Sequence, residues 1–164
     1  MAASNAKLGA GSALYMNTTI IAVPGTNLVS DWVAAGGAWT LVFAEPTSIG
    51  LPGAEASDID VTHLLSPNRR REFIPGPIDS GTITGTARWL PAEYVAVMAN
   101  VGTKMGIKIV TVSSGTADQA SPAIDSTIYF LGHISIGNGE LTFDGVREYP
   151  FTVKIDSDPA ISAV

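Results

Sequence analysis

The sequence predicts a mainly β protein, a β-sandwich or barrel with one α-helix packed on its side. Seventeen glycines and ten prolines divide the chain into short segments. Residues 82–89 alternate between polar and apolar side chains, and so do residues 149–155, which is the period of a half-buried strand. The period of a helix is clear only over residues 91–101. Several strands with a single helix favour a sandwich or a barrel.

Further strands are predicted from β-branched and aromatic residues between turn signals. Two are predicted in the C-terminal half, at residues 105–112 and 127–136. Three shorter strands are predicted in the N-terminal third, at residues 13–16, 19–23 and 39–44.

The segment after residue 136 predicts a turn and a short return strand. Gly137, Asn138 and Gly139 form the turn, and residues 140–143 are predicted as a short hairpin partner. Pro150 stands near the start of the alternating segment 149–155. Because proline has no N–H to donate, it predicts either the beginning of a strand or an edge position.

The helix over about 91–101 has recognisable start and stop signals. Pro91 suits the first helical position, where a missing N–H costs nothing, and Glu93 lies in the first turn, where a negative charge favours the helix dipole. Gly102 supplies a left-handed stop. The apolar residues three and four apart form a stripe predicted to pack on the sheet: Tyr94, Val97, Met98 and Val101.

The connection over residues 45–80 is unusual. It holds five prolines, three glycines and nine of the chain's 24 charged residues, and it is far longer than the usual connection of about 2–6 residues. Long connections of this kind are commonly functional. Residues 58–62 are predicted as a short strand, so the connection can be an extended hairpin arm. Residues 113–123 predict a second, flexible loop.

Composition indicates that part of the surface contacts protein. Only 15% of the 164 residues are charged, against about 25% in a typical soluble domain. No apolar run approaches the ~20 residues that cross a bilayer, and the first residues do not resemble a secretory signal. Self-association of a single domain, residues 1–164, is therefore the preferred interpretation.

Charge and residue types exclude several function classes. The formal net charge of −6 argues against a protein that grips nucleic acid. The chain has no cysteine, which excludes a disulfide framework, a thiolate metal site and a cysteine nucleophile. Gly-x-Ser-x-Gly is absent, and residues 7–12 lack the ending of a phosphate loop. We therefore predict no catalytic residue and no cofactor.

The two histidines do not predict a metal site. His63 follows Asp58 and Asp60, a conceivable ligand set of one imidazole and two carboxylates. The spacing matches no known ligand pattern, and a surface histidine is the preferred interpretation. His133, in the middle of a predicted strand, is interpreted as a surface or interface residue.

The basic cluster Arg69, Arg70 and Arg71 is open to three interpretations: a solvated loop tip, a nucleic-acid patch, or a contact with carboxylates of a neighbouring subunit. The third is preferred because apolar residues surround the cluster, and interface centres favour apolar groups beside arginine. The predicted inter-subunit interface contains Leu51, Asp58, Asp60, Leu64, Leu65, Arg69, Arg70, Arg71, Phe73 and Ile74.

An ordered set of segments runs over most of the chain. Its members are the glycine-rich opening 7–15, Trp32 and Trp39, Pro52-Gly53, residues 58–62, 70–76 and 79–81, the strand-to-helix junction 82–91, and the closing hairpin 129–155. In this order they resemble the tail tube, or major tail, proteins of long-tailed bacteriophages of the lambda-like type.

The resemblance implies a fold and an assembly. Members of the family are β-sandwiches with a flanking helix, and six subunits close into a ring. Rings stack into a tube in the virion tail, and DNA passes through its lumen without specific binding. Residues 45–80 would be the stacking loop between rings and residues 1–12 an arm that orders on assembly. The subunit would be made in the bacterial host cytoplasm.

The same resemblance implies partners and one difference. Tube length and ends would be set by a tape-measure protein, a tail terminator and distal-tail or baseplate proteins. Some relatives carry a C-terminal immunoglobulin-like domain, and this sequence ends at Val164 without room for one. The alternatives are an inner-tube protein of a contractile injection or secretion machine, a β-sandwich binding module, and a metal- or serine-dependent hydrolase.

Overall fold

The computed structural model describes residues 12–43, 46–63, 70–114, 123–139 and 147–163. Over these residues the chain forms ten strands and two helices. In chain order they are β1 (Ala13–Asn17), α1 (Val29–Ala34), β2 (Thr40–Leu41), β3 (Pro46–Ile49), β4 (Glu55–Asp60), β5 (Phe73–Asp79), β6 (Thr82–Arg88), α2 (Pro91–Met98), β7 (Met105–Ser114), β8 (Ala123–Ile136), β9 (Glu148–Ile155) and β10 (Ala160–Ala163).

Eight of these strands form one antiparallel sheet, in the order β2-β1-β7-β8-β9-β6-β3, with β10 paired to β8 beside β9. Strands β4 and β5 form a separate two-stranded hairpin. The large sheet folds over on itself, because Phe43, just after β2, contacts Phe151 on β9 at 4.4 Å between ring centroids. The mainly β class with a flanking helix is thus confirmed.

The folded sheet encloses a main core, which we define as the buried apolar side chains of β1, β6–β9 and α2 together with Val42 and Phe43. The alternation predicted for residues 82–89 and 149–155 is confirmed, since every second side chain of β6 and β9 is buried. At Gly85 a Cβ atom would overlap the ring of Phe151 on the neighbouring strand, which explains glycine inside a strand.

A second core lies on the other face of the sheet and packs against α1. Its buried members are Ile20, Trp32, Tyr129, Leu131 and Ala160. The indole of Trp32 stacks on Tyr129 at 6.0 Å between centroids.

On this second face, the ammonium group of Lys108 lies close to two aromatic rings. Its ammonium group lies 4.3 Å from the centroid of Tyr15 and 5.0 Å from that of Trp39, and Tyr15 and Tyr129 are its direct neighbours on β1 and β8. Burial lowers the pKa of Lys108. Cation–π attraction thus joins β7 to β1 and to Trp39, the residue directly before β2.

The N-terminal strands differ in part from the prediction. β1 is confirmed, residues 39–44 yield only the two-residue β2, and the strand predicted at 19–23 is wrong. The side chain of Asn17 explains the difference. Its Oδ1 accepts hydrogen bonds from the N–H and hydroxyl of Thr19, and its Nδ2 donates to the carbonyl of Gly36. These bonds turn the chain directly after β1.

The six-residue helix α1 is not predicted by the sequence analysis. One carboxylate oxygen of Asp31 accepts hydrogen bonds from the N–H and hydroxyl of Thr26 and from the N–H of Leu28. The bonds from Thr26 and Leu28 lower the pKa of Asp31. Trp32 donates from Nε1 to Asn27. Side-chain bonds of this kind, and not periodicity, define a helix too short to show an apolar stripe.

Helix α2 begins at Pro91 as predicted and ends at Met98, earlier than the predicted residue 101. Gly102 has the left-handed φ of 74° that its stop role requires. The predicted stripe is half buried: Val97 is buried and Tyr94 partly so, whereas Met98 and Val101 are exposed.

Pro150 lies near the start of β9, as one of the two alternatives predicted. The edge alternative is wrong, because β9 pairs with β6 on one side and β8 on the other. The missing N–H leaves no gap in the β8 pairing, which reaches only Phe151. The carbonyl of Pro150 accepts from the N–H of Gly137 just beyond β8.

Several predicted segments lie at the ends of the described ranges or extend beyond them. β7 and β8 are longer than predicted and take in Ser113, Ser114 and Ala123, so the loop predicted at 113–123 is shorter. The remaining residues of that loop, 115–122, lie outside the described residues. So do the predicted hairpin partner 140–143 and residues 1–11 of the predicted N-terminal arm. Strand β10 is not predicted by the sequence analysis.

The buried phenol of Tyr149 is expected to make the stability of the fold depend on pH. The side chain is fully buried among Phe43, Trp89 and Tyr94. Burial, followed by the charges of Glu93 and Tyr94, raises its pKa to about 12, whereas a phenol in an unfolded chain titrates near 10. The stabilising neutral phenol is therefore fully present below pH 10, and its contribution is lost as the pH rises through about 12.

We accordingly expect the free energy of unfolding, measured by urea titration at pH 8 to 12, to fall above pH 10. Tyr149→Phe removes the titrating group, so its stability is expected to fall less over the same interval. Equal slopes for the two proteins would contradict this assignment.

Candidate assembly interface

The hairpin of β4 and β5, which we call the arm, is exposed along almost its whole length. Every residue of β4 is exposed, and in β5 only Gly76 is partly covered. The arm pairs with no strand of the large sheet. An isolated two-stranded hairpin is marginally stable in water, so a second surface that covers the arm would stabilise it.

Strand register divides the arm into two faces. Ile59 lies directly opposite Ile74, and both side chains are close to half exposed, at 45% and 48%. On the other face, Asp60 lies opposite Phe73 and Asp58 opposite Pro75. One face is thus mainly apolar, and the other combines an exposed phenyl ring with two carboxylates.

The tip-side end of the arm is held by local hydrogen bonds. The N–H of Val61 donates to the carbonyl of Glu72, and the N–H of Glu72 donates to the hydroxyl of Thr62. Hydrogen bonds from the hydroxyl and N–H of Thr62 lower the pKa of Asp60. The lowered pKa favours the ionised form of the Asp60 carboxylate on this face.

The predicted interface residues are brought together in part. Asp58, Asp60, Phe73 and Ile74 lie on the arm, and Leu51 lies exposed on the approach to β4. Arg70 and Arg71 are exposed just before β5. Leu64, Leu65 and Arg69 lie outside the described residues. The role of these residues in assembly stays a prediction.

Three exposed apolar residues of this region were missed by the sequence analysis: Ile59, Val61 and Ile78. The signal was present, since the alternation over residues 58–62 places Ile59 and Val61 on one face of a strand. From residues 58–62 the sequence analysis selected the carboxylates Asp58 and Asp60 and left out the apolar residues between and beside them.

Each histidine lies beside one carboxylate rather than in a ligand cluster. His63 lies 3.8 Å from the Glu72 carboxylate, and Nδ1 of His133 lies 3.2 Å from the Asp156 carboxylate. Within the described ranges, no three His, Cys, Asp or Glu side chains gather as metal ligands. The same residues include no helix long and apolar enough to cross a membrane.

Comparison with solved structures identifies the fold. No protein-family model matches this sequence, and no curated protein matches it either. A chain from the tail of an empty gene transfer agent particle with C6 symmetry is 15% identical and has a TM-score of 0.59; the match covers 98% of this chain and 100% of that one.

Two further structures have the same fold. A chain of the SPP1 tail tube is 12% identical at a TM-score of 0.56, with coverage of 94% of this chain and 77% of that chain. A chain from the baseplate of the anti-feeding prophage is 9% identical at a TM-score of 0.52, with 99% coverage of both. At such identities the likeness establishes the fold, and it confirms the fold implied by the family resemblance.

Proposed function

We propose that this chain is a structural, non-enzymatic subunit of a phage-type tail tube. Six copies close into a ring, and the rings stack into a tube in the virion tail. The observation that carries the proposal is the fold match over nearly the whole chain to subunits of assembled tails, one of them solved with C6 symmetry.

The exposed arm supports ring stacking. It holds four apolar side chains that are close to half exposed or more, Ile59, Phe73, Ile74 and Ile78. Exposed apolar side chains of this kind, here on both faces of the hairpin, are typical of protein contacts. The nearby Arg70 and Arg71 can form forked bonds to carboxylates of the next ring. Residues 45–80 are thus proposed as the stacking loop. Residues 1–12 are proposed as a separate N-terminal arm that orders on assembly.

The charge balance supports a conduit for nucleic acid. With a net charge of −6, a lumen formed by six copies can repel DNA phosphates, so that the genome slides without binding. By the family resemblance, a tape-measure protein, a tail terminator and distal-tail or baseplate proteins are the further partners. An inner tube of a contractile injection machine, which is also built from stacked rings, is the alternative. A binding module is less well supported because the structural relatives above belong to tails and a baseplate.

The proposal is tested by negative-stain electron microscopy of the purified full chain at high concentration, with size-exclusion chromatography alongside. We expect hollow tubes or six-fold rings. A strictly monomeric protein, both alone and after addition of tail-tip proteins that can initiate a tube, would exclude the proposed function.

A further inference from the structure

The turn formed by Gly137, Asn138 and Gly139 follows β8 directly, and all three residues are exposed. It contains the only asparagine of the sequence that is followed by glycine. Asparagine and glycine are common in turns because both tolerate unusual backbone angles. In this order they are also a pair in which the side-chain amide can react with the next backbone nitrogen.

The neighbouring strand β9 explains the glycine at position 139. A Cβ atom there would lie 3.0 Å from the Cβ of Tyr149 and 3.2 Å from the carbonyl oxygen of Glu148, which is closer than ordinary contact. The N–H of Gly137 donates to the carbonyl of Pro150 at 2.9 Å, so the turn is held against this strand. Close approach to a neighbouring backbone favours glycine. The fold thus places the least hindered residue directly after the asparagine.

The side chain of Asn138 differs from those of the other asparagines that the structure describes. Three of them make hydrogen bonds through the side-chain amide: Asn17, Asn27 and Asn100. Each of the three is followed by a larger residue, threonine, leucine or valine. Within the described residues, the amide of Asn138 makes no hydrogen bond, and the N–H of Gly139 donates none. Both reacting groups are therefore available at this turn alone among the four.

We propose that Asn138 is a site of spontaneous deamidation. Asparagine is among the thermolabile residues of proteins. The backbone nitrogen of Gly139 loses its proton and attacks Cγ of Asn138, and the new N–Cγ bond closes a five-membered succinimide. The Cγ–Nδ2 bond breaks, and the amide group takes up a proton and leaves as ammonia. Water then opens the ring at either carbonyl carbon and leaves an aspartate or an isoaspartate, so water is the only co-reactant.

The modification changes a charge in the wall of a cavity. Asn138 lines a cavity of about 510 Å³ together with Trp89, Arg147 and Glu148, among others. Each event adds one negative charge to a chain whose formal net charge is −6. In the isoaspartate form the main chain is also longer by one carbon atom beside β9. The inference does not depend on the proposed function, and neither fails with the other.

Peptide mass spectrometry of the purified full chain, incubated at pH 8.5 and at pH 6, is the direct test. The tryptic peptide 109–147 contains no other asparagine, so fragment ions assign the exchange of NH₂ for OH to Asn138. We expect deamidation there to be at least tenfold faster than at the other three described asparagines. It is also expected to be faster at pH 8.5, because the backbone nitrogen must lose a proton. Equal rates at all four asparagines would overturn the proposal.

A matched pair of variants provides the second test, with ion-exchange chromatography as the readout. In Asn138→Gln the longer side chain cannot close the five-membered ring, so we expect the acidic form that accumulates in the wild type to be at least tenfold less abundant. Asn100→Gln makes the same change at an asparagine with a bonded amide and is expected to give the acidic form at the wild-type rate. An undiminished acidic form in Asn138→Gln, or its loss in Asn100→Gln, would assign the reaction to another residue.

Discussion

Replacement of Phe151 by alanine is expected to lower the free energy of unfolding by about 3–5 kcal/mol. Phe151 is 1% exposed, packs on Phe43 across the folded sheet, and lies against Gly85 on the next strand. Removing the ring leaves a cavity that neighbouring strands cannot fill by relaxing. Against a total stability of about 5–15 kcal/mol for a domain, the variant is expected to be marginal.

The change can be measured by urea unfolding followed through tryptophan fluorescence. Phe73→Ala is the matched control, because Phe73 lies on the arm and is 52% exposed. We expect its stability to stay within about 0.5 kcal/mol of the wild type. A loss below about 1 kcal/mol for Phe151→Ala would contradict the central position of this ring in the main core.

The second large effect is expected on assembly. The double variant Ile59→Ser, Ile74→Ser removes the apolar pair from one face of the arm and is expected to yield rings that do not stack. Full burial of an isoleucine is worth about 1.5–3 kcal/mol. Because each side chain is already about half covered, the pair contributes about 2 kcal/mol per arm, or roughly thirtyfold in affinity. Six arms act together between rings, which multiplies the loss.

Electron microscopy at a concentration where the wild type forms tubes checks this expectation. Val95→Ser, an exposed apolar residue on α2 at 67% exposure, is the control and is expected to form tubes. Tubes of normal length from the arm variant would contradict a stacking role for this face.

Taken together, these variants separate folding from stacking. Phe151 lies inside the domain, whereas Ile59 and Ile74 lie on a hairpin outside the main sheet. Because Phe151 is buried and the two isoleucines are close to half exposed, each variant is expected to affect one step with little effect on the other.

Local signals in the sequence determined much of the fold. The period of two located β6 and β9, because alternate side chains of a strand face the core. Pro91 and Gly102 marked the start and the stop of the helical region, since each has a restricted or unusual φ. Prolines and charges from residue 45 to residue 80 indicated a segment outside the core, and the hairpin arm lies there, but Pro46–Ile49 forms β3 of the large sheet and Ile49 packs against the main core.

Pairing between distant segments was decided only by the tertiary structure. The alternation of β9 is the same for a central strand as for an edge strand, so only its pairing with both β6 and β8 shows that Pro150 is not at an edge. Helix α1 depends on the carboxylate of Asp31, and the free edge of β10 depends on what else pairs with β8. Periodicity reports which face of a segment is buried, whereas its neighbours are set by contacts far apart in the sequence.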